Sequence, residues 1–441
     1  MLFGKFFRNP FEIENGVLKK YTPQESVTDI DIPEGVTRIE SFVFSKCRHL
    51  LAVRIPESVT EIGNHAFSGC EHLRTVTLPE HLTALGRGVF MSCTNLTAVR
   101  IPPQIRSIDS LMFYDCSSLS EVTLPDALSE IGEDAFHGCT SLTALSFPES
   151  LTEILSGAFF KCENLTAVQM PSHMKRIGAY AFYKCERLTA LRLPDGITEI
   201  PKNLCYGCRA LTEITVPAGV ADIGEYAFGC CSNLVSVTLP ESLNCIGNAA
   251  FSGCISLRKA VLPNGLMNIG EEAFYECGSL TALTIPERVR GIGASAFRKC
   301  RSLSVIRLHP DDPEIRRDYG KIEKLGTALE HVIGMFRSGN YGFDRDTNLK
   351  FPLLALHFLH PHTCELDGYI RTNLYLFMNT FVPEGAVWFV NAAAEYGFFT
   401  QNNIDLYIDL ASECKQNEIL MLLMRYKNEN FGFADGRKLR L

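Results

Sequence analysis

The sequence predicts an α/β protein, in which a repeat solenoid with a parallel sheet is followed by an all-α C-terminal domain. A 23-residue unit recurs without insertion or deletion over nearly two thirds of the chain. Beyond it, apolar residues recur at the three- and four-residue spacing of helices. Because 441 residues are too many for one ordinary globular core, more than one folding unit is expected.

Cysteine marks the period of the repeat. The cysteines of this register follow one another at a constant 23-residue interval: Cys47, Cys70, Cys93, Cys116, Cys139, Cys162, Cys185, Cys208, Cys231, Cys254, Cys277 and Cys300. Proline repeats in the same register from Pro33 to Pro286. A phenylalanine stands three residues before each of these cysteines except Cys208, where Cys205 takes its place. These patterns predict twelve consecutive units over residues 26–308.

The unit 73–95 illustrates the predicted coil. Leu73, Val76 and Leu78 supply the apolar positions of a short strand, and Pro79 ends it because proline cannot donate to a ladder. After a turn, a short helical segment is predicted to carry three further side chains inward: Val89, Phe90 and Cys93. About seven buried side chains do not offset the conformational entropy lost on ordering one unit, so the units must stack.

These residues closely resemble the BspA-type leucine-rich repeat family, whose unit reads approximately LxxVxLPxxLxxIGxxAFxxCxx. The similarity covers about residues 26–308, with five departures: Glu40, Asp109, Leu155 and Pro201 replace the usual glycine, and Cys205 replaces the phenylalanine. The resemblance implies a leucine-rich-repeat solenoid with a parallel sheet that is used for binding. It also implies bacterial relatives, many of which are surface adhesins or host-interaction proteins.

Both ends of the repeat array have their own predicted structure. In residues 1–25, Asn15-Gly16 lies between two apolar-containing runs, which predicts an N-terminal capping hairpin. Residues 309–441 are predicted to form a helical domain with further helical segments around 353–358, 369–377 and 387–394. Its last part is predicted to be a helical hairpin, weakly similar to ankyrin hairpins, from two apolar series: Ile404, Ile408 and Ala411, then Ile419, Leu422 and Leu423.

Composition and charge narrow the classes of function. The formal net charge of −8 argues against nucleic acid as a partner, because general nucleic-acid binding needs a basic surface. No apolar run is long enough for a membrane span. The first eight residues lack the apolar core of a secretory signal, so the sequence predicts a cytoplasmic protein, with the cell surface as the alternative.

No motif for catalysis or cofactor binding was found in the sequence. Glycine-rich phosphate loops, GxSxG and HExxH do not occur, so the sequence predicts a protein that is not an enzyme and needs no cofactor. The repeated cysteines are predicted to be small buried hydrophobic residues. Metal binding is the lesser interpretation of two clusters: Cys205, Cys208, Cys230 and Cys231, and His357, His360, His362 and Cys364. An enzymatic or metal-binding function in the helical domain remains an alternative.

The predicted binding surface is the outward face of the parallel sheet. Residues on either side of the inward apolar position of each strand point to solvent. Four arginines at these positions are the candidate contacts with an acidic protein partner: Arg54, Arg100, Arg192 and Arg307. The leading hypothesis is a non-enzymatic protein–protein interaction scaffold. The alternative is a surface adhesin or host-interaction protein that is exported by an unconventional route.

Overall fold

The computed structural model describes residues 9–24, 27–286, 288–289, 291–293, 295–303, 305–307, 315–316, 374–375, 378–379, 382–383, 387–395 and 397–432. The chain divides into two compact units, Met1–Tyr341 and Gly342–Leu441. The first unit contains the repeats and the second contains the C-terminal helices. The predicted boundary between residues 308 and 309, like Tyr341, lies outside the described residues and stays a prediction.

Nearly every coil adds a short strand to a row of parallel strands, here called the front sheet, which confirms the predicted solenoid. The coil of Ala144 contributes only a single bridge to Ala167, and the hydrogen-bonded ladder is interrupted before Ala144 and between Ala190–Arg192 and Glu213–Thr215. Residues one period apart are partners, as in Ala52 with Thr75 and Arg54 with Thr77. In the three-residue strands whose side chains are described, the central residue points inward and its neighbours point outward, as the alternation of a strand requires. The strands are Asp29–Asp31, Ala52–Arg54, Thr75–Thr77, Ala98–Arg100, Glu121–Thr123, Ala167–Gln169, Ala190–Arg192, Glu213–Thr215, Ser236–Thr238, Lys259–Ala260, Ala282–Thr284 and Val305–Arg307. Ile315–Arg316 pairs antiparallel with the last of them.

A second parallel ladder, here called the side sheet, was not predicted. Each of its strands has two residues, and the second of them is buried. Two residues are too few to show the alternation of apolar and polar side chains by which a strand is recognised in a sequence. The strands are Arg38–Ile39, Glu61–Ile62, Ala84–Leu85, Ser107–Ile108, Glu130–Ile131, Glu153–Ile154, Arg176–Ile177, Glu199–Ile200, Asp222–Ile223, Cys245–Ile246, Asn268–Ile269 and Gly291–Ile292.

The prediction of a short helical segment before each cysteine is wrong, because the described coils have consecutive turns there. In the coil of Cys70, His65 and Gly69 have left-handed φ angles of 55° and 72°. These conformations aim alternate N–H groups at the next coil: His65 N donates to Arg87 O at 2.8 Å and Phe67 N to Val89 O at 2.9 Å. Neighbouring coils thus satisfy the donors that a helix would have used internally. This third side of the coil is called the turn face.

Two ladders of side chains fill the interior. Phenylalanine rings stack at centroid distances of 5.0–5.8 Å from Phe44 to Phe182 and again from Phe228 to Phe297. Cys205 interrupts this stack. The buried cysteines do more than pack, since each thiol from Cys70 onward in the register donates to a carbonyl oxygen of the preceding coil, at 3.0–3.2 Å.

The N-terminal hairpin extends both the side sheet and the phenylalanine stack. Strands Phe11–Glu14 and Val17–Tyr21 are antiparallel, joined through Asn15 and Gly16 with φ angles of 49° and 78°. Val17–Tyr21 pairs parallel with Arg38–Ile39. The ring of Tyr21 lies 5.0 Å from that of Phe44, so the hairpin covers the apolar interior at the start of the array.

The second unit contains helices α1 (Val387–Glu395), α2 (Ile404–Glu413) and α3 (Asn417–Asn430). The predicted C-terminal helical hairpin is confirmed: α2 packs on α3, and both bury apolar residues: Ile404, Tyr407 and Ala411 on α2, Ile419 and Leu423 on α3. The predicted segment 353–358 lies outside the described residues, as does all of 369–377 except Leu374 and Tyr375. The weak similarity to ankyrin hairpins stays a prediction.

Replacing Lys415 with glycine is expected to stabilise the second unit by about 1 kcal/mol. Lys415 ends α2 with a left-handed φ of 56°, while Lys415 N donates to Ser412 O and Gln416 N donates to Ala411 O. Glycine adopts this conformation without the strain of a Cβ atom. Urea unfolding followed by the fluorescence of Trp388, the only tryptophan, measures the change. Lys415→Ala, which keeps the Cβ, should behave like the wild type, and equal gains in both variants would contradict the backbone explanation.

Candidate functional site

The four predicted arginines lie on the front sheet but do not form one cluster. Arg54, Arg100 and Arg192 are exposed at equivalent outward positions. Arg100 and Arg192 are four coils apart, which corresponds to roughly 19 Å at the spacing of neighbouring strands. Arg307 is on the last parallel strand and is the partner of Thr284, and its side chain lies outside what the structure describes.

The arginines differ in the charges around them. Arg100 already forms an ion pair with Glu80 of the preceding coil. Arg54 is the register partner of Asp31 on the adjacent strand. Glu80 lies 20 residues before Arg100. The residue that lies 20 residues before Arg192 is Ser172, which carries no charge. Within the described part of the chain, neither Arg54 nor Arg192 makes an ion pair. Because the register partner of Arg192 is the uncharged Gln169, its guanidinium is the most available of the three to an acidic group.

Small side chains lie beside Arg192 on the front sheet. Ala144, Ala167 and Ala190 align on three successive coils, and all three are exposed. Gln169 is the register partner of Arg192 on the adjacent strand. Small side chains leave the surface open to a partner, and the arginine stands above it. Together these residues form the candidate site, here called the Arg192 surface.

A row of aromatic residues on the turn face was missed by the sequence interpretation. The row, here called the aromatic ladder, occupies the position two residues before the cysteine in five successive coils: Tyr114, His137, Phe160, Tyr183 and Tyr206. All five residues are half-buried, and neighbouring rings stack at 4.4, 4.5, 4.5 and 5.0 Å. The regular spacing of these aromatics was visible in the sequence, but only strand positions were considered as binding candidates.

The cysteine cluster weighed as a metal site has other partners. Cys208 donates to Phe182 O and Cys231 to Cys205 O, both at 3.1 Å, and Cys230 donates to the Tyr206 hydroxyl at 3.4 Å. Burial raises the pKa of Cys205 and Cys231 well above that of a free thiol, which disfavours the thiolate form that metals bind.

Among the residues that the structure describes, no group of three or more histidine, cysteine, aspartate or glutamate side chains is arranged to hold a metal ion. His357, His360, His362 and Cys364 lie outside them. Nor does any helix in the described part of the chain have the length and apolar character needed to cross a membrane.

Comparisons with known proteins agree with this architecture. A leucine-rich repeat protein from Bacteroides ovatus is 26% identical, with a TM-score of 0.50, over 66% of this chain and 88% of that one. A leucine rich cell surface protein from Faecalibacterium prausnitzii is 28% identical, with a TM-score of 0.46, over 67% of this chain and 90% of that one. No curated protein matches the chain.

The model of the BspA type leucine rich repeat region matches residues 19–139, 107–235 and 221–318. These ranges overlap and together span more than half of the chain. The chain therefore belongs to the BspA type leucine rich repeat family.

Proposed function

We propose that this protein is a non-enzymatic scaffold that binds a protein partner through the front sheet, with Arg192 as the main anchor. The observation that carries the proposal is an exposed arginine without an ion pair among the described residues, standing beside a row of alanines. A guanidinium can hold a carboxylate through two parallel hydrogen bonds. Arginine is also enriched among the residues that dominate binding energy at interfaces.

The row of alanines allows a partner to lie close to the guanidinium of Arg192. A partner seated on Ala144, Ala167 and Ala190 would exclude water around the guanidinium and strengthen its attraction to a carboxylate. Arg100 is expected to contribute less, because Glu80 already neutralises it. Arg54 is the register partner of Asp31 and is expected to rank between the two.

Replacing Arg192 with alanine is expected to weaken partner binding about tenfold or more, as the loss of a charge-assisted pair requires. The partner is first identified by cross-linking in the native cell through a photoreactive amino acid in place of Gln169, with the same group in place of Glu199 on the side sheet as control. The dissociation constant of the purified partner is then measured by calorimetry.

Arg176→Ala is the matched control, because Arg176 is also exposed but lies on the side sheet. It should change the dissociation constant less than twofold. Unchanged binding by Arg192→Ala, or an equal loss in both variants, would rule out the Arg192 surface.

The location of the protein in the cell is part of the proposal. The sequence predicts the cytoplasm, whereas family membership favours the second candidate, a binding protein on the cell surface. Protease treatment of intact cells separates the two. Degradation of the protein in intact cells would exclude a purely cytoplasmic scaffold, and protection until lysis would exclude the surface protein.

A further inference from the structure

The stacking of the aromatic ladder determines what it presents to solvent. The interplanar angles are 29° for Tyr114 and His137 and 8° for Phe160 and Tyr183, so the rings cover one another's faces. Ring edges and tyrosine hydroxyls therefore form the exposed part of these half-buried side chains. Because the edge of an aromatic ring is the positive end of its quadrupole, the outer rim of the ladder attracts negatively charged groups.

Lysines reinforce this polarity. Lys161 Nζ lies 5.7 Å from the ring centroid of Phe160, and Lys184 Nζ lies 5.8 Å from that of Tyr183. Lys202 Nζ lies 5.8 Å from the ring centroid of Tyr180, whose ring is not part of the ladder but lies 5.8 Å from that of Tyr183. These distances place three positive charges beside the aromatic rings.

Two of the lysines form a stacked pair of like charges. Lys161 and Lys184 occupy the same position in consecutive coils, so their backbones are roughly 4.8 Å apart. In the part of the chain that is described, neither forms an ion pair, although Glu163 and Glu186 lie on the same corner of the coil. Glu186 is instead bound to Arg209 at 3.4 Å. The two lysines therefore offer two positive charges that are not held in ion pairs to an external anion.

The coil does not need aromatic residues at this position. The equivalent residues of the three preceding coils and the two following ones are not aromatic: Ser45, Ser68, Met91, Gly229 and Ser252. These coils form the same turns without an aromatic ring at this position. The buried phenylalanine stack, by contrast, runs through nearly all coils and holds the interior together. Tyr275 occupies the same position farther along the chain, but its neighbours in that position are Ser252 and Arg298. Five aromatic residues in succession mark the aromatic ladder as a local surface feature.

We propose that the aromatic ladder, with Lys161, Lys184 and Lys202, is a docking strip for an acidic, extended segment of a protein partner. The proposal rests on the proposed function in taking a protein as the partner, but it uses a different face of the coil. The strip is one ring wide and runs over five coils, roughly 19 Å. About six residues of extended chain span that length. Carboxylates of the segment would meet the ammonium groups, and its carbonyls would accept from the tyrosine hydroxyls.

The test measures binding of fluorescein-labelled deca-glutamate to the full chain by fluorescence anisotropy. Deca-glutamate is expected to bind and deca-glutamine is not. The variant Lys161→Gln/Lys184→Gln should bind deca-glutamate about tenfold more weakly, and Lys161→Arg/Lys184→Arg should keep wild-type affinity. Lys175→Gln/Arg176→Gln, which removes two exposed positive charges from the side sheet, should change the affinity less than twofold.

Three results would overturn the proposal. Equal losses in the two glutamine double variants would mean that deca-glutamate responds only to net charge. Unchanged affinity of Lys161→Gln/Lys184→Gln would place its binding elsewhere. Binding of dextran sulfate without binding of deca-glutamate would identify a polysaccharide site. Arg192→Ala should bind deca-glutamate like the wild type, so failure of the strip and failure of the Arg192 surface are distinguishable.

Discussion

Replacing Phe136 with alanine is expected to lower the free energy of unfolding of the solenoid by about 4 kcal/mol. The side chain of Phe136 is fully buried, and its ring stacks at 5.2 Å on Phe113 and at 5.3 Å on Phe159. The substitution removes apolar contacts and two stacking partners, and it leaves a cavity that rigid neighbouring coils cannot fill. Urea unfolding followed by far-ultraviolet circular dichroism measures the loss.

Two comparisons keep this prediction specific. Phe136→Leu preserves most of the volume and is expected to lower the free energy of unfolding by only about 1 to 1.5 kcal/mol. The fluorescence of Trp388, in helix α1, should report an unchanged transition for the second unit. A loss no larger for Phe136→Ala than for Phe136→Leu would contradict a continuous, tightly packed interior. Because stability in a repeat array is summed over neighbouring coils, the alanine variant should also split the unfolding of the solenoid into two transitions.

Raising the pH above about 9 is expected to destabilise the solenoid strongly, because burial raises the pKa of eleven buried cysteines. Burial raises the pKa of Cys47 to about 11 and those of Cys139 and Cys185 well above that of a free thiol. A thiol in the unfolded chain ionises near pH 8.5. Below that pH the stability is fully present. As the pH rises towards the folded pKa, the unfolded chain releases protons that the folded chain retains, and the free energy of unfolding falls.

The size of this effect is set by the number of buried thiols. Each thiol whose pKa is raised by burial contributes a loss of about 1.4 kcal/mol per pH unit between its unfolded and its folded pKa. The double variant Cys139→Ala/Cys162→Ala is therefore expected to be less stable than the wild type at pH 7, where two hydrogen bonds and some packing are lost. Its stability should nevertheless fall by about 2.7 kcal/mol less per pH unit between pH 9 and 10. Urea titrations at both pH values measure the difference, and equal slopes would contradict the prediction.

Alkylation provides an independent check of the same burial. At pH 8, iodoacetamide should modify the half-buried Cys230, Cys245 and Cys414, whereas the thiols of the cysteine register should react only after unfolding. Mass spectrometry of peptides reports each site. Rapid native modification of Cys139 would show that the interior opens much more readily than its packing indicates.

The sequence alone determined the repeat, the front sheet and the interior. An invariant repeat interval places equivalent positions in equivalent surroundings, so Phe136 and Cys139 had to share the environment of Phe67 and Cys70. The apolar spacing of three and four residues also located the helical hairpin of α2 and α3. The sequence also placed Arg192 on the outward side of its strand, because alternation within a strand is a local property.

Only the tertiary structure decided which groups of neighbouring coils are in contact. The side sheet, the turns that replaced the predicted helical segments and the pairing of Arg100 with Glu80 all depend on groups that belong to neighbouring coils and lie far apart in sequence. The same is true of the aromatic ladder, whose rings meet because Tyr183 follows Phe160 by one period. Such contacts arise once stacking brings equivalent positions within about 5 Å of each other. Local periodicity does not contain this information, because it reports which side of a strand or helix is buried and not which neighbour a polar group will find.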